Sequence, residues 1–213
     1  MSTRSDEEST VSAAGPGPSG GHATRSDGEP GPSAERSTRS DGEPGPSAER
    51  STWSDDRRRT RDMLDLQDGT GPIPMLDGPA ALAALRTSRR IAIVGASPDP
   101  WRPSQGVMRT LLAAGYDCVP VNPKATEILG LRSWPTLEEA VARTGPVDLV
   151  DVFRRSDYTP DVARSAVAVG ARTLWLQLGI VSWEAAEIAY AGGLGVVMDR
   201  CTAIELRGLR VGP

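Results

Sequence analysis

The chain has 213 residues, of which 38% are hydrophobic, and its 28 acidic and 24 basic residues give a formal net charge of −4. This charge offers no general attraction to nucleic acids or membrane surfaces, and no apolar run is long enough to cross a bilayer. Two cysteines far apart in sequence exclude a disulfide scaffold; with no secretion signal predicted, they favour the cytoplasm.

Residues 1–62 are predicted to form a disordered, low-complexity extension, because they contain too few apolar side chains to offset the entropy of ordering. Residues 25–38 recur unchanged as residues 39–52, a tandem repeat with a period of 14 residues. The only histidine, His22, lies in this extension. Histidine-based catalysis is therefore excluded from the folded part. A zinc site is disfavoured, because two isolated cysteines without a histidine do not supply the usual ligand set, and no metal site is predicted.

Residues 63–76 are predicted to be a linker, since glycines and prolines at 69–74 oppose regular structure. A single folded domain is expected over residues 77–213. Its first element is a short helix, for which Asp77 is the predicted N-cap and Pro79 lies close to the start. The helix is expected to end near Arg86.

Apolar strands and amphipathic helices alternate through the rest of the domain. This alternation predicts an α/β fold, a Rossmann-like doubly wound parallel sheet with helices on both faces. The expected spatial order is third, second, first, fourth and fifth strand, with a sixth strand at the edge. The predicted strands cover residues 91–94, 117–121, 131–134, 147–153, 173–178 and 196–198.

The loop after the first strand is the first candidate binding segment. Small residues at its start would let the backbone approach a bulky anion, and Ser104 is the predicted N-cap of the next helix, whose amides and dipole favour phosphate. The loop lacks the dinucleotide pattern G-x-G-x-x-G, so an ordinary strand-to-helix connection is the alternative. The candidate residues here are Gly95, Ala96, Ser97, Arg102, Ser104, Gln105 and Gly106.

The segment Asn122-Pro123-Lys124 follows the second strand, where nicotinamide dinucleotide domains usually carry an acid that binds ribose hydroxyls. This chain has Lys124 there instead, and a cation suits a ribose that carries a phosphate. The residue pattern therefore favours coenzyme A, and less strongly NADP, over NAD. A solvated loop lysine is the alternative.

Three further segments follow later strands. Phe153 is a candidate wall for an adenine or pantetheine arm, with Arg154 and Arg155 as phosphate ligands; a core phenylalanine with solvated arginines is equally consistent. Gln177 is expected to hydrogen-bond a loop or a ligand, beside Gly179. Cys201 is either a small buried residue or a thiol that forms a mixed disulfide with a thiol cofactor.

These segments together resemble the CoA-binding domain family, and most of all its small stand-alone bacterial members. The resemblance lies in residues 91–97 and 102–104, the segment Pro120-Val121-Asn122-Pro123-Lys124, and residues 150–155, 174–179 and 197–201. It implies a Rossmann-type domain that holds coenzyme A with its phosphates near Gly95. A more distant likeness to the succinyl-CoA synthetase alpha subunit implies no ligase activity, because the phosphorylated histidine and its domain are lacking.

The expected function is binding of coenzyme A or an acyl-CoA as a small-molecule nucleotide cofactor, without demonstrated catalysis. An enzyme that uses NADP or an acyl-CoA is the alternative, disfavoured because no general base is evident. A redox-sensing transcription factor is disfavoured further, because the N-terminal region is too polar for a DNA-binding helix-turn-helix and the chain is acidic. Neither nucleic acid nor a membrane is an expected partner.

Overall fold

The computed structural model describes residues 46–209 and, among them, the side chains of residues 56–208. Residues 1–45, with most of the tandem repeat and of the predicted disorder, lie outside the described part. Seven strands are described: β1 Arg90–Val94, β2 Asp117–Val121, β3 Glu127–Ile128, β4 Leu131–Arg132, β5 Leu149–Val152, β6 Thr173–Leu176 and β7 Gly195–Val197. The helices are α1 Pro46–Gln67, α2 Gly78–Thr87, α3 Pro103–Ala113, α4 Leu137–Thr144, α5 Thr159–Ala168, α6 Trp183–Ala191 and α7 Thr202–Leu209.

Five strands form one parallel sheet in the order β2-β1-β5-β6-β7. The predicted fold class is confirmed, and the last predicted strand lies at the edge of the sheet. The chain proceeds from β1 to β2 on one side and returns through β5 to the other. This reversal leaves a crevice at the carboxyl ends of β1 and β5, where ligands bind in folds of this kind.

The predicted third strand over residues 131–134 is wrong as a full member of the sheet. Leu129 and Gly130 both have positive φ, 52° and 76°, and turn the chain so that β3 pairs with β4 in an antiparallel hairpin. A left-handed backbone conformation at both turn positions favours this tight reversal. Only Trp134 keeps the expected pairing, as an isolated parallel bridge to Val121.

The alternation of β1 side chains divides the core into two layers. Ile91 and Ile93 pack with α2, α3 and α7, whereas Ala92 and Val94 pack with α4, α5 and α6. Successive side chains of a strand point to opposite faces, so a strand covered on both faces must be apolar throughout. Helix α2 begins as predicted, with the Asp77 carboxylate accepting a hydrogen bond from the Ala80 amide at 3.0 Å.

Helix α1 corrects the predicted extents of disorder and linker. The sequence predicts disorder to residue 62 and a linker over 63–76, but the structure has a helix over Pro46–Gln67. Met63 and Leu66 pack against the core, and the Trp183 indole donates to the Asp62 carbonyl at 3.2 Å. A few apolar residues at helical spacing therefore give the last turns of α1 a surface to bury, which the polar composition concealed.

Residues 71–76 also pack against the domain. A Cβ added at Gly71 would lie 2.0 Å from the Trp183 ring, and the Leu76 amide donates to the Val196 carbonyl at 2.9 Å. Ile73 and Met75 contact the same core layer as Met63. The segment is thus a packed strap, not a free linker.

Within residues 46–209, no helix has the length and apolarity that a transmembrane span requires.

Candidate functional site

The predicted binding segments meet at one edge of the sheet. Gly95 follows β1, Asn122 follows β2, Phe153 follows β5 and Gln177 follows β6. Because these strands are parallel neighbours, their carboxyl ends place the four following loops side by side. The structure therefore brings the predicted segments together in the crevice between β1 and β5 and around it.

Gly95 makes the turn that leads out of β1. Its φ is +89°, and an added Cβ would lie 3.0 Å from the Phe153 carbonyl oxygen. The Gly95 amide donates to the Val121 carbonyl at 3.0 Å, and the Phe153 amide donates to the Val94 carbonyl at 2.8 Å. Glycine is thus required here both for its backbone conformation and for the close approach of β5.

The loop from Ser97 to Arg102 is held by its own polar groups. The Ser97 hydroxyl accepts from the Asp99 amide at 3.2 Å, and the Asp99 carboxylate accepts from the Trp101 amide at 2.9 Å. Gln105 donates from its side chain to the Pro98 carbonyl at 2.7 Å and accepts from Arg109 at 2.8 Å. Gln105, a predicted ligand contact, is therefore buried and holds the loop in place.

The predicted N-cap at Ser104 is wrong. Helix α3 begins at Pro103, and its N-cap is Arg102, whose side chain makes no capping bond. Proline at the first helical position has the φ that a helix needs, which moves the start one residue earlier. Ser104 is buried, whereas Arg102 and Gly106 are exposed at the first turn, where the Gln105 amide donates to the Arg102 carbonyl at 3.0 Å. This turn retains the features of an anion site.

Asn122 joins the loops after β1 and β2. Its amide nitrogen donates to the Ala96 carbonyl at 2.6 Å, and its oxygen accepts from the amides of Lys124 and Ala125 at 2.7 and 3.1 Å. Lys124, the only lysine in the sequence, is exposed on this loop next to Pro123. Both residues line a cavity of about 710 Å³ that extends to the β3–β4 hairpin. Asn122 thus orders the loop that carries Lys124, and Glu127, Glu139 and Arg132 line the same cavity.

Phe153 is half-buried against the core layer that contains α2, α3 and α7. It is therefore partly a core residue and partly open to the crevice. The guanidinium carbon atoms of Arg154 and Arg155 lie 5.6 and 5.5 Å from the centroid of the Tyr158 ring. Arg155 also forms a salt bridge with Asp157 at 2.7 Å. These contacts hold both arginines near the end of β5.

Gln177 is buried and its amide nitrogen donates within the protein. It bonds the two carboxylate oxygens of Asp151 at 2.7 and 2.9 Å and the Thr202 hydroxyl at 2.8 Å. Thr202 in turn donates to Asp151 at 3.0 Å. Burial raises the pKa of Asp151 to about 7, although both hydrogen bonds act to lower it. The cluster of Asp151, Gln177 and Thr202 thus connects β5, the end of β6 and the start of α7 by buried hydrogen bonds.

The loops after β6 and β7 are tied together by Asp199. This residue has a positive φ of 53°, and its carboxylate accepts from the Gly179 amide at 2.7 Å. Cys201 is half-buried against the core layer that contains α2, α3 and α7, and Cys118 is buried within β2. Burial, together with the nearby charges of Asp151 and Asp117, raises the pKa of Cys118 to about 12, which keeps that thiol protonated.

The sequence analysis gave no role to Asp151 or Asp199, although both lie in its candidate segments. It missed Thr202, and also Arg59 of α1, which donates to Asp157 at 3.1 Å near the end of β5. An acid inside an apolar strand was the available signal for Asp151, because a buried carboxylate needs partners. Nothing local marked Thr202 or Arg59. No cluster of three metal-ligating side chains occurs among the described residues.

Comparison with known proteins bears directly on this edge. The model of the CoA binding domain family matches residues 89–207, which include all five strands of the parallel sheet and their carboxyl ends. The chain belongs to the CoA binding domain family. The matched region begins just before β1, so α1 and the strap over residues 71–76 lie outside the CoA binding domain.

Relatives of the CoA binding domain are found in bacteria and archaea. The uncharacterized protein YneT of Bacillus subtilis is 40% identical over 120 residues, which are 56% of this chain and 87% of YneT. A hypothetical protein from Pyrococcus horikoshii has 34% identity and a TM-score of 0.60, over 63% of this chain and 93% of that one. A protein from Thermus thermophilus has 33% identity and a TM-score of 0.58, over 62% and 98% respectively.

Proposed function

We propose that this chain binds coenzyme A or an acyl-CoA at the carboxyl edge of its sheet. The observation that carries the proposal is the exposed Lys124 at the end of β2, in the place where dinucleotide domains carry an acid. A ribose phosphate would be attracted by this cation, whereas the ribose hydroxyls of NAD would not meet the carboxylate that usually follows this strand. Family membership supports the same ligand.

The remaining predicted site residues have roles consistent with this ligand. Gly95, Arg102 and Gly106 would border the pyrophosphate at the first turn of α3, and a Cβ at Gly106 would meet nothing within 4 Å. Phe153 would flank the end of the pantetheine arm, with Gly179 and Cys201 near its thiol. Gln177 supports the site through Asp151 and does not contact the ligand through its amide nitrogen. The free thiols of Cys118 and Cys201 fit the reducing cytoplasm proposed for this protein.

Coenzyme A is expected to stabilise the protein selectively. At a ligand concentration one hundred times Kd, binding adds about 2.7 kcal/mol to the free energy of unfolding, which corresponds to a rise in Tm of roughly 5–10 °C. Thermal unfolding would be followed with coenzyme A, NADP and NAD at equal concentration. A rise with NADP and none with coenzyme A would refute the proposal.

Replacing Lys124 with glutamate is expected to weaken coenzyme A binding at least tenfold, because a phosphate would then face a carboxylate. Dephospho-coenzyme A, which lacks the ribose phosphate, should lose less than about threefold, and Lys124→Arg should retain most of the affinity. Titration calorimetry measures both ligands on each variant. Equal losses for the two ligands would show that Lys124 does not face the ribose phosphate.

A further inference from the structure

Helix α1 reaches the carboxyl edge of the sheet and brings a third arginine to the end of β5. One guanidinium nitrogen of Arg59 lies 3.1 Å from each carboxylate oxygen of Asp157. Asp157 also accepts from Arg155 at 2.7 Å, so the two arginines share a single carboxylate. The pKa of Asp157 is lowered by its hydrogen bonds with Arg155 and Arg59, which keeps the carboxylate ionised.

These arginines border a cavity of about 330 Å³ between the ends of β5 and β6. Its cationic side is formed by Arg59, Arg154 and Arg155, and its other walls include Phe153, Gly179 and Ile180. Among the described residues that line this cavity, which we call the arginine pocket, none is acidic. The pocket thus combines an apolar wall with a rim of positive charge, at the small end of the range for ligand pockets.

Two carboxylates lie near the three guanidinium groups: that of Asp157, and that of Asp199, which accepts from the Gly179 amide at 2.7 Å. The rim is therefore left with excess positive charge. Solvent screens part of it, because the side chains of Arg59 and Arg155 are 47% and 71% exposed. A planar anion that enters the pocket would receive paired hydrogen bonds from guanidinium groups, for which a carboxylate has the matching geometry. The apolar wall suits a short hydrocarbon chain that carries this carboxylate.

The order of the strands indicates which end of a bound ligand would enter the pocket. Along the edge, Lys124 follows β2, Gly95 follows β1, Phe153 follows β5 and Gly179 follows β6. Adjacent strands are about 4.8 Å apart, so these residues form a row roughly 15 Å long. A ligand with its ribose phosphate at Lys124 and its pyrophosphate at Gly95 would direct its thioester end toward β6 and the arginine pocket.

We propose that the arginine pocket selects acyl-CoA ligands whose acyl group ends in a carboxylate, and that Arg59 of α1 is required for this selection. The inference rests on the proposed function, since it assumes that coenzyme A occupies the edge of the sheet. Arg59 lies outside the region that matches the family, so the selection is a property of this chain's own N-terminal helix.

The test compares succinyl-CoA with butyryl-CoA, two probes with the same four-carbon acyl chain, of which only the first ends in a carboxylate. The wild-type protein should bind succinyl-CoA at least tenfold more tightly in titration calorimetry at low salt, and the ratio should fall as salt is added. In Arg59→Gln this ratio should fall to less than threefold. Arg61→Gln is the matched control, because Arg61 pairs with Asp65 within α1 and should leave the ratio unchanged.

A second variant separates recognition from a merely structural role of the Arg59–Asp157 contact. Asp157→Asn also breaks this salt bridge, but it frees both Arg59 and Arg155 for a ligand carboxylate. The proposal expects the preference for succinyl-CoA to increase in Asp157→Asn, whereas loss of α1 docking would decrease it in both variants. A decrease in both would overturn the inference.

Two other results would also overturn the inference. Equal affinity of the wild-type protein for the two acyl-CoA probes would show that the pocket does not recognise the terminal carboxylate. If Arg59→Gln weakened free coenzyme A as much as succinyl-CoA, the pocket would hold part of coenzyme A itself. Failure of the proposed function is distinguishable, because then neither free coenzyme A nor either thioester would bind the wild-type protein.

Discussion

Replacing Gly95 with alanine is expected to lower the free energy of unfolding by about 2–4 kcal/mol and Tm by roughly 5–15 °C. Two costs add at this position. A φ of +89° is strained for any residue with a Cβ, and that Cβ would lie 3.0 Å from the Phe153 carbonyl oxygen. The backbone at the β1–β5 crevice must then shift, so coenzyme A affinity should fall as well.

Gly115→Ala is the matched control for Gly95→Ala. Gly115 has nearly the same φ, +92°, but an added Cβ there would meet nothing within 4 Å. Its substitution should therefore cost only the conformational strain, about 1–2 kcal/mol, and should leave ligand affinity unchanged. Urea unfolding of both variants measures the difference, which isolates the close approach of β5. Equal losses of stability would show that this approach carries no cost.

The second large effect concerns the buried Asp151 and the pH dependence of stability. Burial raises the pKa of Asp151 to about 7 in the folded protein, against 3.8 as its ordinary value. Between these pH values the folded state holds a proton that the unfolded state has released, so stability falls as pH rises from about 4 to 7. This group alone should lower the free energy of unfolding by on the order of 2–4 kcal/mol across that range.

Asp151→Asn should abolish this decline, because an amide does not titrate. Urea unfolding at pH 5.0 and 7.5 would be compared for the wild type and the variant, and the variant should gain stability relative to the wild type at the higher pH. Asp148→Asn is the control. Burial acts to raise the pKa of Asp148, but the amides of Arg90 and Arg89 and the charge of Arg172 outweigh it and hold that pKa below its ordinary value.

Because the pKa of Asp148 is lowered, its contribution to stability is present above pH 4 and is lost only as pH falls below that value. Asp148→Asn should therefore preserve the slope of stability between pH 5.0 and 7.5, even if the variant is less stable throughout. An unchanged slope in Asp151→Asn would instead mean that Asp151 is ionised in the folded protein over the whole range, with its charge balanced by Gln177 and Thr202.

Much of the site was predictable because its features are local in sequence. The turn at Gly95 and the loop lysine at Lys124 each follow an apolar strand, and position after a strand is enough to place them at the carboxyl edge of the sheet. Gln177 was also predicted to need a partner, but whether that partner was a loop, a ligand or another strand depended on its neighbours. The structure supplies Asp151, 26 residues away, and Thr202.

Helix α1 is a part of the fold that could not be predicted from the sequence. Its composition resembles that of the repeat region before it, so the sequence predicted disorder to residue 62. What orders its last turns is contact with residues far along the chain. Arg59 pairs with Asp157 at a separation of 98 residues, and the Asp62 carbonyl accepts from Trp183 at a separation of 121. Such pairs have no local signature, because the residues around each partner do not indicate which distant residue it will meet.

The sequence by itself determined the fold class, the family and the edge of the sheet at which a ligand should bind. The fold class and the edge follow from the periodicity of apolar residues and from turn residues, which act over a few positions. The family was indicated by the resemblance of the segments around the strand ends. Only the tertiary structure decided that Asp151 is buried beneath the site, that the third predicted strand becomes a hairpin, and that α1 adds Arg59 to the binding edge. Each of those outcomes depends on packing between residues distant in sequence, where burial and charge are set by neighbours that the local pattern does not specify.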